Sequence, residues 1–443
     1  MKPTWLWPVW QALVLSLAVG FTRRGQQRFV QWVTGLALNA EEHTVTQSVI
    51  TLDRVEDWRA LETFAEYGSW DLPLLQQGVA KRIARLPNRL WHGYSVIAGD
   101  DTKVHRTSKG VWGTCTFHEY TARCPNRAST VRAHNWVVLG ALLPNASAPA
   151  HFLPVAGRLY FRKAQLPAAQ KGPPVAFRTK CDLLVEMARE HARATGGKTL
   201  GVFDGGFALR SVVRPLVKPD DPCQPRIDVL TRLRQDARLY RLPPAQRRQG
   251  QRGATPKWGK RLPPPVQGGR WPGAWQAGTA YIYGRRRRVK YKEVLCLWHV
   301  LGHDAVVKAV TAQVEGYRKR FTLVTSATDL SGLQVVEIFC GRFREEDAFR
   351  DLKQRLGWEQ CRAWTRNPIE RTTQAVLVTL TAMRLLQVEL EWRQGEDWWL
   401  HPPWNRHKSR PSVLDVERLL RGHAEELRQG LASWLDTGEK TGD

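Results

Sequence analysis

Apolar positions along this chain follow two periods, one of three to four residues and one of short unbroken runs, and the two alternate from end to end. Arg28 to Leu38, Trp58 to Phe64 and Leu74 to Leu86 carry apolar residues at helical spacing, so residues 1–92 read as a helical region. Three strand-like runs follow between residues 93 and 143, the last being Trp136 to Leu143. Thr179 to Thr195 reads as a helix with Leu183, Leu184 and Met187 on one face, and leads into the apolar run Thr199 to Phe203. Arg226 to Leu233 and Arg320 to Ser326 are further strands. Helical spacing returns from Phe339 to Lys353, and again at Val416, Leu419, Leu420, His423 and Leu427 behind a Ser412-x-x-Asp415 capping box. No internal repeat interrupts this order.

The seventeen residues from Trp5 to Phe21 carry no charge, which raises the question of an export signal. Pro8 and Gln11 interrupt the run, only Lys2 precedes it and Arg23-Arg24 follow, so a buried N-terminal helix is expected instead. The run is also short of the roughly 20 residues that span a bilayer. Seven cysteines, an odd number without a regular framework, fit a reducing compartment. Cys115, His118 and Cys124 could begin a zinc site, but no fourth ligand follows at suitable spacing. His134, beside Asn135 and Trp136 in a strand, reads as a hydrogen-bonded core or cleft residue.

Two of the apolar runs stop at acids. Val96-Ile97-Ala98-Gly99 leads into Asp100-Asp101-Thr102, and Thr199 to Phe203 leads into Asp204-Gly205-Gly206. Strand-end aspartates usually cap the next turn, yet the carboxyl ends of strands are also where ligands collect in open α/β sheets. Asp100 and Asp101 are adjacent and point to opposite sides of an extended strand, so only one of them can face a site. A third acid sits in the helix near the C-terminal third. At about 100° per residue, Arg342, Glu346 and Lys353 fall within an arc of about 60° that includes Phe339, whereas Glu345 falls outside it. On its own this stripe is an ordinary solvated face with an i, i+4 ion pair. With Asp100 and Asp204 it is the third corner of a carboxylate set suited to hard divalent cations.

Net charge extends the picture to a partner. The 443 residues hold 67 Lys and Arg against 41 Asp and Glu, a net +26, and a polyanion is the first partner this suggests. From Arg226 to Lys292 eighteen cations face two acids, Asp228 and Asp236. Tyr240, Trp258, Trp271, Trp275, Tyr281, Tyr283 and Tyr291 lie among them, so phosphate-binding cations alternate with rings able to stack on unpaired bases. Pro243-Pro244, Pro263 to Pro265 and Gly268-Gly269 give part of this stretch the composition of a solvated arm. The run Arg285-Arg286-Arg287-Arg288 between Tyr283 and Tyr291 reads as a β-ribbon laid against a nucleic-acid backbone.

Asp100-Asp101-Thr102, Val202-Phe203-Asp204-Gly205 and Phe339-x2-Arg342-x3-Glu346-x6-Lys353 together resemble the insertion-sequence transposases of the DDE, RNase H-like group. Those enzymes carry Tyr-x2-Arg-x3-Glu-x6-Lys on the helix of the third acid; three of the four positions match here, and Phe339 replaces the tyrosine. The resemblance spans residues 93 to 360. It implies an α/β fold: an RNase H-like mixed-sheet catalytic core interrupted by a mostly β insertion, with helical N- and C-terminal regions. The expected division is 1–92, a helical DNA-binding or assembly region; 93–233, the first part of the core; 234–318, the basic insertion; 319–390, the rest of the core with the catalytic helix; and 391–443, a C-terminal helical region.

The family pattern of apolar run, Asp, any residue, Thr assigns the first acid to Asp100, with Asp101 in reserve. Asp100, Asp204 and Glu346 are then the catalytic, metal-holding acids for two Mg²⁺ ions, with Mn²⁺ as a substitute. Arg342, Lys353, Phe339 and Arg285 to Arg288 are the expected DNA contacts, Arg342 being alternatively an orienter of Glu346. The implied partners are double-stranded DNA, as terminal inverted repeats and as target, and a second copy of the chain on that DNA, without a membrane. The implied location is the cytoplasm of a bacterial type of cell, at the nucleoid. Two other readings compete: a transposase-derived DNA binder without activity, and a general RNase H-like nuclease.

Overall fold

The uncharged run forms helix α1 (Leu6–Leu17), with Leu6, Trp10, Val14 and Leu17 buried at intervals of three or four residues. In the computed structural model the described residues are 5–119, 129–145, 150–166, 175–244, 253–393, 398–406, 408 and 410–439. The first amides of α1 both donate to Glu426 Oε1, at 2.7 Å from Leu6 and 2.9 Å from Trp7, an anion placed on the positive end of the helix. Helices α2 (Arg23–Leu38), α3 (Val45–Thr51), α4 (Trp58–Tyr67) and α5 (Leu72–Ala84) complete the N-terminal region. Thr22 and Thr44 cap α2 and α3 through their hydroxyls. Phe21, Phe29, Phe64 and Trp70 form one ring cluster between these helices, with Phe21 and Trp70 edge to face at 4.9 Å. Among the described residues no helix is long and apolar enough to cross a membrane.

One mixed sheet carries the rest of the architecture. Its strands are β1 (Ser95–His105), β2 (Cys115–His118), β3 (Thr130–Leu143), β4 (His151–Tyr160), β5 (Thr199–Phe203), β6 (Asp228–Arg232), β7 (Leu239–Tyr240), β8 (Gln276–Ile282), β9 (Arg285–Trp298), β10 (Val306–Val314) and β11 (Phe321–Thr325). The order is β2-β3-β1-β5-β6-β11-β10-β9-β7, with β4 on β3 and β8 on β9. β1 pairs antiparallel with β3 and parallel with β5, and β5 pairs parallel with β6. This is the RNase H-like core. Helix α6 (Lys180–Thr195), started by a Thr179–Asp182 capping box, packs Leu184 against β1 and β3, and α7 (Arg210–Val217) follows β5.

Sequence patterning passed over β4, because Pro154 and Gly157 break its apolar run. The fold accommodates both. β4 pairs only with β3, and the register shifts at Leu139/Gly140 opposite Pro154, so the missing amide falls at an edge-strand bulge. The stretch 234–318 supplies β7 to β10, and these continue the core sheet: β10 pairs with β11, β11 with β6, and the ladder runs unbroken from one side to the other.

Helices α8 (Gly332–Gly341) and α9 (Arg344–Gln354) follow β11, and the long α10 (Arg366–Arg393) lies against β4, α1, α2 and α4, so sheet and N-terminal helices share one core. The expected continuous helix from Phe339 to Lys353 is therefore two helices. At the junction the amides of Arg342 and Phe343 bond three residues back, to Phe339 and Cys340, which pinches the turn. Gly341, beside the junction, admits the Trp91 ring, from which a Cβ there would stand 2.4 Å. α11 (Val413–Gly422) starts where the capping box predicts, with Ser412 N donating to Asp415 Oδ2 at 2.7 Å. Its pattern does not run on through His423 as a single helix; α12 (Ala424–Glu439) begins after a turn at His423.

Candidate active site

Strand pairing brings the first two acids together. Gly99 pairs with Phe203 across the parallel β1–β5 ladder, so Asp100 and Asp204, each one residue further on, stand at the same level. Asp204 follows the end of β5, whereas Asp100, expected at a strand end, lies within β1, which runs on to His105 against β3. In a parallel pair, residues at one level point to one face. Asp204 turns the chain into a short 3₁₀ segment, its carboxylate accepting from Gly205 N while Thr231 Oγ1 of β6 donates to its carbonyl at 3.1 Å. Asp101 points the other way, and its carboxylate pairs with Lys180 Nζ at 2.7 Å, where α6 begins. The two adjacent aspartates thus divide between the faces of the sheet, and it is Asp100 that meets the α8–α9 junction.

There, Arg342 reaches three carboxylates at once. Its Nη1 is 3.3 Å from Asp100 Oδ2 and 3.5 Å from Glu345 Oε2, and its Nη2 is 3.4 Å from Glu346 Oε1. Glu346 is half exposed, with 51% of its side chain accessible, whereas Glu345 is fully buried at 0%. Neither Glu345 oxygen has a hydrogen-bond partner of good geometry. Burial pushes the Asp100 carboxyl up to about 6, against the pull of Arg342 and with a further push from Asp101 and Asp204. Burial, followed by the charge of Asp100, holds Glu345 well above the ordinary carboxylate range.

Glu345 is the residue the helical wheel set aside, yet its own spacing carried the signal. Ala348, Phe349 and Leu352 stand three, four and seven residues beyond it and are all buried, so Glu345 occupies the apolar face of α9. A buried acid without good partners costs stability most when its unfolded form is ionised. Its raised pKa means that the stability it leaves in place at low pH is lost as pH rises from the unfolded value through the folded one. Glu345→Leu is therefore expected to stabilise the chain by about 1–3 kcal/mol near pH 8 and by less near pH 5. Thermal unfolding of the two proteins at both pH values checks this; a variant that melts lower near pH 8 contradicts it.

The remaining predicted residues divide. Phe339 packs on Phe321 of β11, ring centroids 6.3 Å apart and planes at 29°, so its ring is a packing element beside the junction. Lys353, two turns along α9, lies towards Lys103, Glu119 and Glu359 at the far end of β1, and burial lowers the pKa of its ammonium. It stands seven residues beyond Glu346 on the same helix, and the ion pairs of Arg342 are made with Asp100, Glu345 and Glu346. Arg285 to Arg288 open β9 just past a turn in which Tyr283 adopts φ 49°. Tyr283 meets the exposed Phe343 edge to face at 5.6 Å, which sets this turn beside the acids. His134 is a buried, hydrogen-bonded residue, paired with Trp112 O at 2.8 Å and Arg106 Nε at 3.2 Å, and burial lowers its pKa to about 4. Cys115 and His118 lie on β2, while Cys124 falls outside the described residues.

α9 is held in place from its far end. Gly357 adopts φ 58°, and a Cβ there would meet Gln360 and His43 at 2.3 and 2.5 Å. Behind it Trp358 is fully buried and donates to Thr373 Oγ1 of α10 at 3.1 Å.

Among the described residues no three acids, histidines or cysteines stand close enough together to ligate one ion, and the Arg342 guanidinium pairs with Asp100, Glu345 and Glu346. The donor chemistry does fit a divalent cation. Asp100, Asp204, Glu345 and Glu346 place four carboxyls around a single guanidinium, a negative excess made of hard oxygen ligands. The family model described as DDE superfamily endonuclease matches residues 16–293, taking in Asp100 and Asp204 and ending within β9, ahead of α8 and α9. Comparison with curated proteins gives no match.

Proposed function

Since the chain belongs to the DDE superfamily endonucleases, nuclease-type enzymes that act on DNA and generally use divalent metal ions, we propose that it is a transposase. It cleaves the ends of a mobile DNA element and transfers the exposed 3′-hydroxyl into target DNA. The observation that carries this reading is the meeting of Asp100 and Asp204 at one level of adjacent parallel strands with the acids of α9, joined through Arg342.

Asp100, Asp204 and Glu346 are the residues that would hold two Mg²⁺ ions, or Mn²⁺ in their place. Such ions, when bound, supply Lewis-acid activation of a water or 3′-hydroxyl and stabilise the leaving oxygen. The chain itself orients the reactants. Arg342, freed from the carboxylates once they are neutralised, turns its fork to a phosphate beside the scissile bond. Lys353 serves a phosphate further along α9, and Phe339 supports the junction by packing. Arg286 and Arg288, exposed on the open face of β9, bind the backbone of the element end. Two copies of the chain pair two ends during transposition, in a bacterial cytoplasm at the nucleoid.

Purified protein incubated with Mg²⁺ and labelled DNA carrying the terminal repeat of its own element is expected to nick at the repeat, and a scrambled end is expected to be cut at least about tenfold less. A band shift without a nick would favour a DNA binder without activity. Equal cutting of both ends at all salt concentrations would favour a general nuclease.

A further inference from the structure

The four arginines of β9 do not form one patch. Strand alternation sends Arg285 and Arg287 to the face with Val289 and Tyr291, which α8 covers, as the approach of Gly332 to Tyr291 and of Leu333 to Gly278 shows. Arg287 is further committed to its own chain, with its guanidinium 5.3 Å from the Tyr317 ring and donating to Glu315 O at 3.3 Å. Arg286, Arg288 and Lys290 point to the opposite face and are all exposed. They recur about every 7 Å along the strand, a repeat comparable to that of phosphates along an extended single strand. Glu315 lies beside this row, its carboxylate accepting from the Arg288 amide.

The row ends in a built cleft of about 630 Å³. Ala277, Lys290 and Gln313, in register across β8, β9 and β10, form its floor together with Arg320, the residue before β11. Arg270 and Trp275 stand in its wall. The wall is fixed from beneath by Lys292, the next residue of the same row, which is 7% exposed and donates to Gly269 O at 3.1 Å and Trp271 O at 3.0 Å. Trp275 keeps 43% of its surface accessible while Lys292 Nζ and Arg320 Cζ lie 5.4 and 5.5 Å from its ring centre. An exposed indole held in a cationic cleft is a stacking platform for a base, and the amide of Gln313 offers a donor and an acceptor to a base edge.

We propose that the open face of β8–β10 is a track for an unpaired DNA strand: Arg286, Arg288 and Lys290 bind successive phosphates, and the Trp275 cleft takes a base at the end. The track starts at the Tyr283 turn beside the acids and runs about 20 Å from it along β9. It rests on the proposed transposase reading only in identifying the strand as one released at an element end; the face itself is independent of the acids. A duplex end presents few free bases to such a cleft, whereas a strand unpaired near a cut presents both phosphates and rings.

The test uses the full chain and a fluorescein-labelled oligo(dT) of about twelve nucleotides. The variant Arg286→Gln/Arg288→Gln/Lys290→Gln is expected to bind it at least about tenfold more weakly and to lower the slope of log affinity against log salt by about 2. Trp275→Leu is expected to lose about tenfold with the slope unchanged. Arg285→Gln, on the other face, is the control and should lose less than about threefold, with thermal melts confirming that each variant is folded. Unchanged oligo(dT) binding in the triple variant, or an equal loss in Arg285→Gln, overturns the track. Metal-dependent nicking of a duplex end, measured in parallel, reports separately on the transposase reading. Nicking without track-dependent strand binding removes this inference alone, and track-dependent binding without nicking removes that reading and leaves the track.

Discussion

Asp204→Asn is expected to abolish Mg²⁺-dependent cleavage, by at least about a thousandfold, while binding to an element end stays within about threefold of the parent. Asparagine keeps the shape of the side chain and an oxygen to accept from Gly205 N, so the turn after β5 survives. What disappears is one negative oxygen ligand beside Asp100. The loss should therefore fall on the chemical step, since DNA affinity rests on cations elsewhere. A cleavage assay and a gel-shift titration on the same labelled end separate the two. Full cleavage by the variant would remove Asp204 from the mechanism and the assignment with it.

Arg342→Ala is expected to have the largest effect on stability near the site. Arg342 is the cation in contact with Asp100, Glu345 and Glu346, and Asp100 and Glu345 are already raised by burial. Removing it leaves these carboxyls facing one another, at a cost of about 3 kcal/mol near pH 8. The sign with pH follows from the raised values. Near pH 5 Asp100, whose carboxyl burial pushes up to about 6, is largely neutral, and the raised Glu345 carries less charge than near pH 8, so the arginine has less charge to compensate and its loss should cost less. Thermal unfolding of parent and variant at both pH values reads this directly; an equal loss at both would show that packing, not charge, is what Arg342 contributes. Cleavage should fall at least about a hundredfold, with partial recovery in Arg342→Lys, which restores the charge without the fork.

Much of this architecture was legible from local pattern. Apolar runs ending in acids located β1 and β5, and parallel pairing made Asp100 and Asp204 neighbours. Of the two only Asp204 ends its strand, since β1 continues past Asp100 to His105 in its ladder with β3, a pairing that the polar residues 100–105 do not announce. Ser412 marked a helix start because a capping box is local chemistry, and the apolar face of Leu183, Leu184 and Met187 marked the helix that begins after Thr179. The features that escaped depend on what packs across the chain. The helix break at Arg342–Phe343 is one, and the ring of Trp91, some 250 residues earlier in the chain, against Gly341 beside it is another. Glu345 was assigned by the stripe it leaves and not by the apolar face it joins, although Ala348, Phe349 and Leu352 define that face. Lys353 is two turns beyond Glu346 on α9 and lies towards Lys103, Glu119 and Glu359, neighbours that the helical spacing could not name. The arginine run looked uniform until the strand's alternation, and α8 on one side of it, separated Arg286 and Arg288 from their neighbours.

The account turns on whether these acids serve both cutting and joining. The most direct measurement incubates the protein with Mg²⁺, a labelled element end and an unlabelled circular target, and sequences the products. The account predicts a nick at the element boundary that exposes a 3′-hydroxyl, and a covalent joint between that 3′ end and the target, both absent with Asp204→Asn. Cleavage that never yields a joint, or joints that persist in Asp204→Asn, would contradict it.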